Sequence, residues 1–206
     1  MTNKIFVEKI TDANSCLFIF YFSYISKKDL YIHLRSGDIY KKNAHGKYSQ
    51  PPLCFYFRVI DSFKFRKIFI LSQDYLNPVI KIIINHFPNI IPTKNSVDTD
   101  VKIISNAYNL VGSMSSFLTT LLIINDNLKN FWEYDNYRLS QKYFHLHHDI
   151  YDYPIHFIIY KMKSSYRYLN DMFPWKNSKK QISLMLNEKC NNNFEIIKPS
   201  INFNKA

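Results

Sequence analysis

The chain is expected to fold as an α/β domain, a parallel sheet flanked by helices, and three observations predict this. Short apolar runs of strand length alternate with helix-length amphipathic runs across residues 29–125. Several of the helical runs open on Ser, Asn or Pro start signals. The connections between them are short, as in βαβ units. At 206 residues the chain has room for one substantial core and hardly two.

Each element has its own local reason. "DLYIHL" (29–34) reads as a strand that runs into the cluster "RSGD". After the polar loop "KKNAHGKYSQ", Pro51 and Pro52 open a helix whose Leu53, Phe57 and Ile60 share a face. "KIFILS" (67–72) is a continuous apolar run, the pattern of a strand buried on both faces. Asn77 and Pro78 supply an N-cap and a first helical residue, and "VIKIIINHF" continues that helix to Pro88. Ser96 caps the next helix, with Asp98 and Asp100 near its positive end. "YNLVG" (108–112) reads as a short strand, and "SMSSFLTTLLIIN" begins as a hydroxyl-rich turn and continues as a helix. Beyond about residue 125 the pattern loosens, except for a capping box from Ser178 to Gln181. The expected plan is an N-terminal extension (1–28), a Rossmann-like domain (29–190) and a frayed, flexible tail (191–206).

Composition says less about function than its extremes suggest. Gly occurs only three times, whereas Asn, Lys, Ile, Tyr and Phe are abundant. That bias matches AT-rich codons, so the formal charge of +11 argues only weakly for a polyanionic partner. Cys16, Cys54 and Cys190 lie far apart with no CxxC pair, which suggests no disulfide framework and a reducing, cytoplasmic setting. The apolar run "CLFIFYFSYI" (16–25) is half the roughly 20 residues that a membrane span needs, so no membrane association is expected.

Two of the three glycines, Gly37 and Gly112, fall just past the carboxyl ends of expected strands. In open α/β sheets ligands bind at that edge. "GSMSSF" (112–117) brings Ser113, Ser115 and Ser116 to a helix start, where hydroxyls and free N–H groups suit an anion of phosphate size. Arg35 at the same edge adds a guanidinium fork, so the two together could grip a diphosphate. An ordinary serine N-cap and plain strand-to-helix turns are the structural alternatives.

"HLRSGD", "SQPPLCFY", "ILSQD" and "SVDTDVKIISNAYNLVGSMSSF", in that order and spacing, resemble the donor-binding half of fucosyltransferases with an H-x-R-x-x-D type motif. The likeness covers about residues 29–122, with a weaker continuation in "MFPWKNSKKQISLML". It implies a GT-B glycosyltransferase whose Rossmann-like C-terminal domain holds the nucleotide sugar. The implied reaction is an inverting, metal-independent transfer from GDP-fucose to a glycan or other hydroxyl acceptor, with no cofactor. By position, Arg35 would bind the diphosphate and stabilise the departing GDP, while His33, Gly37 and Asp38 would shape its loop. Ser115, Ser116 and Phe117 match the segment that holds the phosphates, and Asp100 matches an acidic residue near the nucleoside. Ser36 stands where many relatives carry a second arginine. A GT-B enzyme also needs an acceptor domain, and only residues 1–28 precede "DLYIHL".

Rival chemistries are weaker. "DTD" (98–100) has the form of a Mn²⁺-binding aspartate pair but reads as a capped helix start. "HLHHD" (145–149) could offer two zinc ligands, yet no third has a motif spacing. No nucleophile elbow and no P-loop are present. The aromatic and lysine content leaves a non-enzymatic nucleotide- or nucleic-acid-binding protein as the alternative, with nucleic acid the disfavoured partner.

Overall fold

The computed structural model describes residues 25–42, 44, 46, 49–112, 115–135, 155–190 and 193–199. The run at 16–24, Ser113 and the histidine cluster 145–149 lie outside them. The chain forms β1 (Leu30–His33), a 3₁₀ turn (Gly37–Tyr40), α1 (Leu53–Ser62), β2 (Ile68–Leu71) and α2 (Pro78–His86). There follow β3 (Ile90–Thr93), α3 (Val97–Ile104), β4 (Asn109–Gly112), α4 (Ser116–Ile123) and β5 (Asn130–Asp135). The last elements are β6 (Ile158–Lys163), α5 (Tyr166–Met172), α6 (Lys179–Asn187) and β7 (Phe194–Ile197).

The strands make one seven-stranded sheet in the order β3-β2-β1-β4-β5-β6-β7. β1 to β6 run parallel, and β7 closes one edge antiparallel. The α/β, Rossmann-like expectation therefore holds. Side chains alternate across the sheet. Leu30, Ile32, Val111, Trp132 and Met162 pack with Phe55, Val59, Ile80, Tyr168 and Met185 of the helices on one face. Tyr31, Leu110, Phe131 and Ile159 pack with Ile104, Leu118 and Leu122 on the other. Each such buried Leu, Ile or Phe contributes about 1.5–3 kcal/mol of transfer free energy, which holds the two layers to the sheet.

The helix starts come from local chemistry. Asn77 accepts from the Val79 N–H, Ser96 from Thr99, and Ser178 and Gln181 form the expected capping box. In α1 the buried residues are Phe55, Tyr56, Val59 and Ile60, with Leu53 and Phe57 only half-buried. β3 lies between α2 and α3, where the sequence reading places no strand; it contains Pro92, which an edge strand tolerates although it lacks an N–H donor. Within the segment read as a frayed tail, Phe194–Ile197 form β7, paired with β6 from Ile159↔Ile197 to Met162↔Phe194.

The cysteine reading is also corrected. Cys54, in the first turn of α1, forms a disulfide with Cys190, just after α6, with Cα atoms 5.5 Å apart. The separation of 136 residues hides this pair from any local motif, and packing of α1 against α6 brings it together. A disulfide removes the cysteine argument for a reducing compartment. Among the described residues no helix is long and apolar enough to cross a membrane.

Candidate functional site

The order of strands reverses direction between β1 and β4. The chain leaves β1 toward β2 on one side and leaves β4 toward β5 on the other, and the carboxyl ends of two such strands are where open α/β sheets form their ligand crevice. β1 and β4 are paired at Tyr31↔Leu110 and Ile32↔Val111. The segments holding Arg35 and Ser115 follow directly, so both residues stand at the same edge, on neighbouring strands.

The loop after β1 is held from two directions. Gly37 has φ +70, a conformation that L side chains rarely adopt, and a Cβ there would meet Gln73 Oε1 at 2.6 Å. The Ser36 hydroxyl donates to Asp74 Oδ1, and the Gly37 N–H donates to the same oxygen at 3.1 Å. The Leu76 N–H reaches it at 3.0 Å, while Asn77 donates its backbone N–H to Ser36 Oγ and its side-chain amide to the Arg35 carbonyl, each at 3.0 Å. Burial pushes the Asp74 carboxyl up, but bonds from Ser36, Leu76 and Gly37, with Lys41 nearby, outweigh it and hold the group below its ordinary range. From the other side, the Trp175 indole donates to the Ile39 carbonyl and Asn177 to the Tyr40 carbonyl, both at 2.7 Å. The weakly matching segment "MFPWKNS" thus braces the Arg35 loop.

Arg35 is mostly covered, with its side chain 20% exposed, and its Nη2 lies 3.3 Å from Asp38 Oδ2. Asp38 is 65% exposed, so this pair is a weak surface contact that a bound anion can displace. His33 ends β1 with its ring 5.9 Å from that of Phe117 in α4. Burial, together with the charge of Arg35, lowers the His33 pKa to about 4, so the ring is neutral at pH 7. A neutral imidazole adds no charge to the crevice, and Arg35 provides the positive one.

Ser115 is the N-cap of α4, is buried, and makes no side-chain capping bond. In α2, α3, α5 and α6 the cap side chain accepts from the helix backbone. The hydroxyl of Ser115 therefore faces a helix start whose N–H groups are not capped by it. Ser116 is exposed in the first turn, and its carbonyl accepts from Thr120 Oγ1 at 3.1 Å. Gly112 has a packing role: a Cβ there would collide with Leu118 and lie 2.8 Å from Phe131.

Asp100 sits at the start of α3, and its Oδ1 accepts from Asn95 Nδ2 at 2.9 Å. Burial raises its pKa, with the Asn95 bond opposing. β3, which leads into α3, lies two strands from β1, about 10 Å away at ordinary strand spacing. Asp98 and Asp100 stand in a capped first turn, and among the described residues no three metal-type ligands gather.

His33, Arg35, Gly37, Asp38, Ser115, Ser116 and Phe117 thus stand at the carboxyl edge of β1 and β4, with His33 and Phe117 in ring contact and Arg35 paired with Asp38, while Asp100 lies near the end of β3, two strands from β1. Sequence reasoning missed the clamp made by Ser36, Ser72, Asp74 and Asn77, in which Ser72 Oγ donates to the Leu34 carbonyl at 2.9 Å. The available signal was a cluster of Ser, Asp and Asn immediately after β2, in "LSQDYLNP". No family model matches the chain, and neither does any curated protein or solved structure.

Proposed function

We propose that the chain binds a nucleoside-diphosphate sugar, GDP-fucose or a related GDP-hexose, across the β1–β4 crevice and transfers the sugar to a hydroxyl acceptor. The observation that carries this reading is the placement of Arg35 and the α4 N-terminus on adjacent strands where the strand order reverses. A guanidinium and a row of N–H donors at one sheet edge suit a diphosphate, with Ser115 and Ser116 adding hydroxyls. Asp100, about two strand spacings from β1, offers the carboxylate acceptor that guanine's N–H edge needs. In the transfer, the acceptor oxygen bonds to the anomeric carbon as the bond to the diphosphate breaks. The electron pair leaves with GDP, and Arg35 stabilises that growing charge.

Calorimetric titration with GDP, UDP, ADP and a short single-stranded oligonucleotide tests the binding step. GDP is expected to bind best, with little loss between low and moderate salt. A steeply salt-dependent oligonucleotide complex with no GDP preference would favour a basic nucleic-acid binder instead. Incubation with GDP-fucose and mixed glycan acceptors then reads transfer; GDP binding without transfer would leave a nucleotide-binding protein.

A further inference from the structure

A cavity of about 200 Å³ lies on the same carboxyl edge, past β4. Its floor is Tyr134 near the end of β5 and Met162 in β6, both buried. Its rim is Lys163, Ser165, Glu188 and Lys189, and Cys190 closes one wall through its disulfide to α1. β5 and β6 lie two and three strands from β1, about 10 and 14 Å away at ordinary spacing.

The chemistry of this cavity is that of a sugar-ring site. An aromatic ring and a thioether line the cavity with Glu188 and Lys189 at its mouth, beside Lys163, which pairs with Glu195 at 3.1 Å, and Ser165, whose hydroxyl caps α5. Burial pushes the Tyr134 phenol up to about 12, so the floor is uncharged at neutral pH. Glu188 Oε1 accepts from Ser165 Oγ at 3.0 Å, and among the described residues its Oε2 has no partner. Lys189 makes no ion pair among them either. An acid and a base at one rim, neither spent on the other, are suited to hydrogen-bonding hydroxyls.

We infer that this cavity is the acceptor site, that it takes a single pyranose ring, and that Glu188 is the general base. This rests on the donor reading of the β1–β4 crevice. As the acceptor oxygen bonds to the anomeric carbon, its proton passes to Glu188 and the electron pair of the breaking bond leaves on the diphosphate.

The test uses the full chain, GDP-fucose as donor and a panel of methyl hexopyranosides as acceptors. Glu188→Gln keeps an acceptor oxygen for Ser165, so its melting temperature and GDP affinity should match wild type. Its transfer rate should fall about 10²–10⁴-fold. Lys189→Ala should raise the acceptor KM with little change in kcat. Wild-type transfer rates in Glu188→Gln would overturn the acceptor-site inference alone. A wild-type chain that binds no GDP would remove the donor reading and this inference with it.

Discussion

Gly37 and Asp74, 37 residues apart, are joined by a 3.1 Å bond from the glycine N–H to the carboxylate that also holds the Ser36 hydroxyl. That contact ties the end of β1 to the end of β2 and fixes the backbone from which Arg35 projects. Asp74→Ala should therefore cost about 2–3 kcal/mol in urea unfolding, because hydrogen bonds to a charged acceptor are lost and their donors are left behind. Its GDP affinity should fall as well, while Asp74→Asn should lose less of both. Since the native carboxyl is held below its ordinary range, this stabilisation is present above about pH 3.9 and is lost as pH drops through the lower native value.

Gly37→Ala separates backbone from space. Gln73 Oε1, the nearest atom, ends a flexible exposed side chain and can swing away. The positive φ cannot be relieved so easily, and it should cost about 1–2 kcal/mol. Thermal unfolding of Gly37→Ala and Gly37→Asn should rank asparagine as the milder change, since asparagine tolerates that conformation better.

Arg35→Ala should keep the fold with a modest drop in melting temperature, because the ion pair with exposed Asp38 is weak while the mostly covered side chain loses packing. Turnover of a GDP-sugar should drop about 10²–10³-fold, the usual loss when one donor to a developing anion is removed. Arg35→Lys should recover only part of it, since the ammonium keeps the charge without the two-pronged geometry. An alanine variant turning over at the wild-type rate would sink the role of Arg35 as leaving-group clamp.

The neutral His33 gives the fold a pH signature. Its native pKa is about 4, against an ordinary value near 6.5, so the unfolded chain takes up a proton that the folded chain refuses between those values. Stability should thus fall as pH drops from about 6.5 to about 4, by at most about 1.4 kcal/mol per pH unit. Replacing His33 with Gln should flatten that part of the curve, read from urea midpoints at several pH values.

The Cys54–Cys190 bond closes a loop spanning 136 residues of sequence separation. On the chain-entropy account such a cross-link stabilises the fold by about 5 kcal/mol. A thiol titration under denaturing conditions, before and after dithiothreitol, should reveal two additional reactive thiols. The Cys54→Ser chain should melt well below the oxidised wild type and close to the reduced one.

What was legible in the sequence was local. The apolar run that became β2 and the caps Asn77, Ser96 and Ser178 each need only a few neighbouring residues to be recognised. The edge position of Arg35 and Ser115 followed from strand ends and was readable too. β3 contains Pro92, and proline argues against a strand unless the strand is known to be an edge. Glu133 and Asp135 break the apolar run of β5, whose burial depends on neighbours far away in sequence. The Asp74 clamp and the disulfide are contacts across 37 and 136 residues, and no short pattern announces either.

The bonds from Trp175 and Asn177 to the carbonyls of Ile39 and Tyr40 bear on how the protein is born at the ribosome. The first four strands of the sheet can pair as they emerge, but the loop holding Arg35 lacks its second brace until residue 177 has cleared the exit tunnel. Nascent chains halted before that point should contain every residue proposed to hold the donor phosphates and still bind it poorly. Competence at the first strand waits for two residues that follow their loop partners by 136 and 137 positions.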